Sequence, residues 1–193
     1  MNFRQRLDNV LVRAHGRFQR TTSRHLYRRP LPLRLLRPLI SFTFDDFPKS
    51  ALYEGGRLLA DIGARGTYYA SMGLMGTIAP TSEIFVPEDL PALLNGGHEL
   101  ACHTFDHFDS WDTAPSEFDA SILRNRDALA ELAPSVRFES FSFPITQPRP
   151  ATKRLAARHF ESCRGGGQTP NIDEADLALL NSYFLEKCGG RLD

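Results

Sequence analysis

No apolar run in this chain of 193 residues approaches the roughly 18–20 residues that a bilayer-spanning helix needs. No secretory leader is expected at the N-terminus either, because Arg13 and Arg17 break the sequence before an h-region of about 7–15 apolar residues can form. From that absence a cytoplasmic location is expected. Cysteine is scarce: Cys102, Cys163 and Cys188 are odd in number and widely spaced, with no C-x-x-C pair. This argues against a disulfide scaffold, a thiolate zinc site or a thioredoxin-like motif, and it suits a reducing compartment. There is no internal repeat and no low-complexity tract, so solenoid and collagen-like readings fall away. The Gly165-Gly166-Gly167 run lacks the lysine and hydroxyl of a phosphate-binding loop and reads as a turn at a strand end.

Net charge is also absent, with 23 basic and 23 acidic side chains. The balance hides a division. Residues 1–38 carry ten arginines against the single acid Asp8, and everything after them is acidic overall. The chain is therefore read as a basic, arginine-rich extension over 1–37 followed by a folded domain over 38–193. Nucleic acid and an anionic membrane surface are conceivable partners of the extension. No helix-turn-helix, zinc-finger or RNA-binding signature accompanies it, so nucleic acid is not expected and the extension reads as solvated or packing.

Beyond the prolines at 30, 32 and 38, strand and helix patterns alternate. Strands are expected at Leu39–Phe44, Gly66–Ser71, Glu99–His103, Phe138–Phe143 and Phe160–Arg164, where apolar, β-branched and aromatic residues run together. Helices are expected at Leu52–Ile62, Glu88–Leu94, from an N-cap at Ser116 to Ala133, at Pro150–Arg158 and at Asp173–Lys187. Alternation of this kind implies an α/β fold with a parallel sheet or barrel. Five strands are too few for an eight-stranded barrel, which takes about 200–250 residues.

Two clusters at expected strand ends carry chemistry. Asp45-Asp46 follows Leu39–Phe44, and Asp-Asp-Phe-Pro is equally good turn chemistry. His103 and His107 follow Glu99–His103 at a spacing found in zinc sites, although two surface histidines also meet that description. Parallel strands bring such ends to one rim. One carboxylate with two imidazoles then makes a metal site with open positions, and the other carboxylate is free to act as a base. Zinc suits that donor set, and cobalt, nickel or manganese can also occupy it. Cys102 reads as a small buried residue, and His98 as a packing or hydrogen-bonding one.

The segments SFTFDDFP, GTYYAS, GHELACHTFDH and FSFP, spread from about Pro38 to Gly167, resemble the polysaccharide deacetylase family (carbohydrate esterase family four, which includes the rhizobial chitooligosaccharide deacetylases). Thr43-Phe44-Asp45-Asp46 matches the first motif and His103-Thr104-Phe105-Asp106-His107 the second. The resemblance implies a distorted barrel of about seven strands, here incomplete at the C-terminus, and a metal-dependent hydrolase removing acetyl groups from the nitrogen or oxygen of a saccharide. It implies Asp46, His103 and His107 as ligands of a divalent metal, most readily zinc, and Asp45 as general base. The third motif, Phe141 to Thr146, departs from the family. Ser142 stands where an arginine orients the base, and Ile145 stands where a tyrosine supplies a backbone N–H to the oxyanion, a task Ile145 can still perform. Arg149 is a candidate replacement for the missing guanidinium. Pro144, Phe105 and Trp111 are candidates for the sugar groove, the two aromatics being equally readable as core. The family's strand-borne acid histidine has no counterpart, since His159 falls on an expected helix. The chain is accordingly expected to be a fragment or truncated product. A catalytically inactive barrel that binds saccharide or a protein partner is the alternative.

Overall fold

The computed structural model describes residues 14–185, with 17, 20, 81 and 146 left out. Five strands form one parallel sheet in the order β2-β3-β4-β5-β6: Phe42–Phe44, Gly66–Ala70, Glu99–Cys102, Ser140–Ser142 and Ser162–Arg164. Each strand pairs with its neighbours in sequence, as in a barrel and unlike a doubly wound sheet, whose order reverses. The result is a curled half-barrel with helices packed on it, matching part of a (β/α) barrel.

Local chemistry explains the elements. β3 is buried along its whole length, as a central parallel strand covered on both faces must be, and it pairs Thr67 with Thr43 on one side and with Glu99 on the other. Its Tyr68 ring stacks on Phe44 at 4.8 Å, and Phe47 stacks on Phe85 at 4.4 Å. Between β2 and β3 the chain makes a π-helical stretch, Ala51–Gly56, that runs into the α-helix Arg57–Asp61 and stops at the left-handed Gly63. Helix Pro115–Leu132 begins with proline in its first turn and buries Phe118, Ile122 and Leu129 against the sheet. Its cap is Ala114 with no side-chain hydrogen bond, so the expected cap at Ser116 is corrected: that residue already lies inside the helix. Helix Pro150–His159 precedes β6.

Two further expectations are corrected. β2 begins at Phe42 and not at Leu39, because Leu39 and Ile40 have no neighbouring strand and lie 77% and 79% exposed. The helix expected over Asp173–Lys187 is absent from its described part. Glu174–Asp176 form β7, and residues 177–180 run alongside β6, where Leu180 bridges Arg164 in parallel. Cys163 N–H donates to the Leu177 carbonyl at 2.8 Å and Leu180 N–H to the Cys163 carbonyl at 2.7 Å. The open edge of β6 thus captures backbone groups that a helix would have satisfied internally, a tertiary effect invisible to local periodicity. Residues 186–187 lie outside the described residues. No described helix is long and apolar enough to cross a membrane.

Part of the basic N-terminal region is bound to the domain. Pro30–Pro32 form β1, antiparallel to β7 with Leu31 opposite Ala175. The Arg29 guanidinium donates to the carbonyls of Ala157, Phe160 and Glu161, satisfying the C-terminus of helix Pro150–His159. Beneath this contact, fully buried Lys153 donates from Nζ to Asp176 Oδ2 at 2.6 Å and to the Ser23 carbonyl at 2.8 Å. Burial draws the Lys153 pKa down, and Asp176 opposes that shift.

Asp176→Asn is expected to leave a buried ammonium without its counter-charge and to lower the unfolding free energy in denaturant titrations by about 3 kcal/mol. Lys153→Met combined with Asp176→Asn should cost less than the sum of the two single changes. His98 yields a pH prediction. Its Nδ1 accepts a hydrogen bond from Gly66 N–H at 3.0 Å, and burial, aided by Arg65, lowers its pKa, so folding disfavours the protonated ring. The stability it contributes is complete above the ordinary histidine value of about 6.5 and is lost as pH falls below it. His98→Asn keeps an acceptor and removes the titration. The stability difference between wild type and variant should therefore narrow from about pH 8 to about pH 5 in pH-dependent denaturation.

Candidate active site

Because β2, β4, β5 and β6 run parallel, the residues at their carboxyl ends share one rim: Asp45 and Asp46 after β2, His103 after β4, the Pro144–Ile145 turn beyond β5, and Arg164 closing β6. Non-glycine residues with positive φ gather here, namely Asp46 (63°), Phe47 (51°), Thr104 (59°), His107 (54°) and Ile145 (66°). Each such residue costs conformational free energy that the surrounding contacts must offset, a pattern common at functional sites.

Those contacts are specific. Ser71 Oγ donates to the His103 carbonyl at 2.8 Å, and His103 N–H donates to the Ala70 carbonyl at 3.0 Å. Buried Asn125 of helix Pro115–Leu132 accepts from Met72 N–H and donates to the Ala70 carbonyl and to Cys102 Sγ. Ser121 Oγ donates to Asp106 Oδ2 at 2.7 Å, and Arg124 pairs with the same carboxylate, fixing the loop from His103 to His107. Gly73 lets the Phe105 carbonyl approach its N–H to 3.0 Å, where a Cβ would lie 2.5 Å from that oxygen.

On this scaffold Asp46 Oδ1 lies 3.0 Å from His107 Nε2 and 3.6 Å from His103 Nε2. The three ligand-capable atoms fall within 4.8 Å of one another. His103 is almost wholly buried and its Nδ1 lies 2.8 Å from the Ser142 carbonyl. A carbonyl can only accept, so Nδ1 carries the proton and Nε2 turns a lone pair into the site. Burial disfavours the protonated ring and lowers the His103 pKa, with Asp45 and Asp46 pulling the other way. The neighbouring His107 ring is the largest influence on the Asp46 carboxyl and holds it below the usual range against burial. Asp46 Oδ1 is itself buried and accepts no well-formed hydrogen bond. A carboxylate, a neutral imidazole and a second imidazole that converge around an unsatisfied buried oxygen fit a divalent cation in donor type and direction.

Asp45 is held differently. Burial pushes its carboxyl up, but His103 and Arg164 pull harder and leave it below the ordinary value. Arg164 Nη2 bonds both Asp45 Oδ1 and Ser142 Oγ, the latter at 2.7 Å. Its Nη1 donates to Ser182 Oγ at 3.1 Å, and its guanidinium lies 4.9 Å from the Tyr69 ring centroid. Arg149, the candidate from sequence, does not reach Asp45. It donates instead to the carbonyls of Ser110 and Thr113. The guanidinium beside Asp45 therefore arrives from β6, and Ser142 is the small residue that holds it. Its visible signal in the sequence is its position, the last residue of a strand before a glycine run.

The remaining candidates lie around this centre. Pro144 is buried, and Ile145 is 63% exposed with its backbone turned left-handed. Phe105 packs against the core with Arg124 over its ring at 4.5 Å. Trp111 is half-buried, with Gly16 of the N-terminal helical stretch against its ring. Burial pushes the Cys102 thiol up to about 12, so it is no nucleophile at neutral pH. His159 ends its helix bonded to Asp119 at 2.7 Å, which accounts for it structurally.

Comparison with known proteins speaks to the fold and the family. No curated protein sequence matches the chain. Among solved structures, a Streptococcus pyogenes deacetylase, PplD, in complex with acetate is 18% identical with a TM-score of 0.64, over 83% of this chain and 69% of that one. IcaB from Ammonifex degensii is 18% identical with a TM-score of 0.61, over 69% of this chain and 62% of that one. A family 4 carbohydrate esterase from Streptomyces lividans in complex with acetate is 18% identical with a TM-score of 0.52, over 64% of this chain and 60% of that one. The chain thus spans less than two thirds of the latter two, and likeness at this identity speaks for the fold. The polysaccharide deacetylase family model matches residues 34–160, which contain Asp45, Asp46, His103 and His107, and the chain belongs to that family.

Proposed function

We propose that this protein is a metal-dependent hydrolase that removes acetyl groups from an acetylated saccharide, with Asp46, His103 and His107 as the metal ligands and Asp45 as the general base. The observation that carries the proposal is the convergence of three ligand atoms within 4.8 Å, beside a second carboxylate that is paired with Arg164 and so cannot point at the same centre with both oxygens. A divalent cation bound there, zinc being the best match to the donors, would polarise the acetyl carbonyl and acidify water.

The chain's own residues supply the rest. Asp45, kept ionised by its Arg164 partner, takes a proton from the attacking water. Arg164 is a positioning residue: anchored to Ser142 and Ser182, it leaves the Asp45 carboxylate one orientation. The exposed turn at Ile145 offers its backbone N–H to the oxygen that gains charge, and buried Pro144 fixes that turn. Phe105, within the loop from His103 to His107, and Trp111, just after it in the chain, are the candidates for contact with sugar rings. The proton held by Asp45 is then the nearest one available to the leaving nitrogen or oxygen.

Acetate release from acetylated oligosaccharides, with bound metal measured in parallel, tests the scheme. Asp46→Ala and His103→Ala should lose both metal and activity, and Asp45→Asn should keep the metal while kcat falls by about 10²–10⁴-fold. Unchanged hydrolysis after Asp46→Ala or after chelation would defeat the proposal. Arg164→Ala should lower kcat by about 10–100-fold with little change in KM, as expected for a group that orients another. Arg164→Lys should recover only part of that loss, because one ammonium cannot serve Asp45, Ser142 and Ser182 together.

A further inference from the structure

Between Asp8 and Asp45 the sequence contains no acidic residue and eight arginines. Within that stretch residues 34–42 are all exposed, and they read Arg-Leu-Leu-Arg-Pro-Leu-Ile-Ser-Phe. Leu35 is 51% exposed, Leu36 fully so, and Leu39 and Ile40 more than three quarters. The segment is anchored at both ends. Leu33 N–H donates to the Asp173 carbonyl at 2.8 Å beside β1, and Phe42 begins β2. Among the described residues neither Arg34 nor Arg37 forms an ion pair. Four large aliphatic side chains held in water in one short loop carry a free-energy cost that a covering surface would remove.

We propose that the 34–40 segment is a docking surface for an anionic lipid bilayer, with Leu35, Leu36, Leu39 and Ile40 entering the interface and Arg34 and Arg37 meeting the acidic headgroups. Apolar insertion and positive charge are the two signals that peripheral membrane binding combines. Charge decides among the occupants. A second copy docked through the same patch would bring four arginines into one interface with no acidic residue of the segment to pair them. Nucleic acid would use the arginines and leave the aliphatics uncovered. The surface leads into the N-terminal end of β2, while Asp45 and Asp46 follow its C-terminal end, about 10 Å further along the strand. Docking there leaves the rim in water. The inference does not depend on the proposed reaction.

The experiment is co-sedimentation of the full chain with vesicles of equimolar phosphatidylglycerol and phosphatidylcholine, and with phosphatidylcholine alone. The protein should pellet with the anionic vesicles, poorly with the neutral ones, and less as salt is raised. Leu36→Asp with Ile40→Asp should abolish pelleting. Arg34→Ser with Arg37→Ser should weaken partitioning about thirtyfold, at about 1 kcal/mol per arginine. All four side chains are exposed, so thermal midpoints should stay at the wild-type value. The wild-type comparison between the two lipids and across salt tests the proposal independently of any variant. No pelleting, equal pelleting with neutral vesicles, or variants that pellet like wild type would each overturn it. So would a dimer that Leu36→Asp dissolves in a protein that ignores vesicles, since the occupant would then be a second copy.

Discussion

Parallel strands that neighbour one another in chain order must present their carboxyl ends on one side, and the site follows from that constraint. Asp46 and His103 stand 57 positions apart in the chain, yet both are the first residues or nearly so beyond their strands, and the register of β2, β3 and β4 sets them facing. The hydrogen bond between His103 Nδ1 and the Ser142 carbonyl then ties β4 to β5 and settles which imidazole nitrogen faces inward. Without the shared rim the same residues would be an acidic turn and a pair of surface histidines.

The rim also divides labour between two adjacent carboxylates. Asp46 turns through a left-handed backbone conformation towards the two imidazoles, while Asp45 is tied to Arg164. Adjacent carboxylates repel, and each here has its own cationic or dipolar partner to relieve that repulsion. The guanidinium comes from β6 and bonds the Ser142 hydroxyl beside it. Where the third motif departs from the family pattern at Ser142, a guanidinium from the neighbouring strand lies beside Asp45.

Much of the strand order was legible. The five strands lie where apolar, aromatic and β-branched residues run together, and Asp45-Asp46 and His103–His107 were recognisable by their place after strands. Arg164 was not, because its one local signal, a strand-end position before a glycine run, does not say which side chain it meets. Arg149 is nearer in sequence, but its guanidinium is taken up by the Ser110 and Thr113 carbonyls. Residues 174–180 depart from the helical expectation for a similar reason: apolar residues at Leu177, Leu179 and Leu180 suit either period, and the open edge of β6 decides between them. The basic N-terminal region looked separable by composition, whereas Arg29 and β1 bind it to helix Pro150–His159 and to β7 through backbone groups.

By itself the sequence determined the residue types at the strand ends, the α/β alternation and the separation of charge between the first 38 residues and the rest. These are properties of local patterning and composition, which need no partner to be read. Tertiary structure alone decided which arginine faces Asp45, which nitrogen of His103 points inward, how far β2 extends and what becomes of residues 174–180. Each of those turns on a backbone or side-chain group meeting another that is distant in the chain, and the energy of such a meeting depends on burial and direction, neither of which a linear pattern contains.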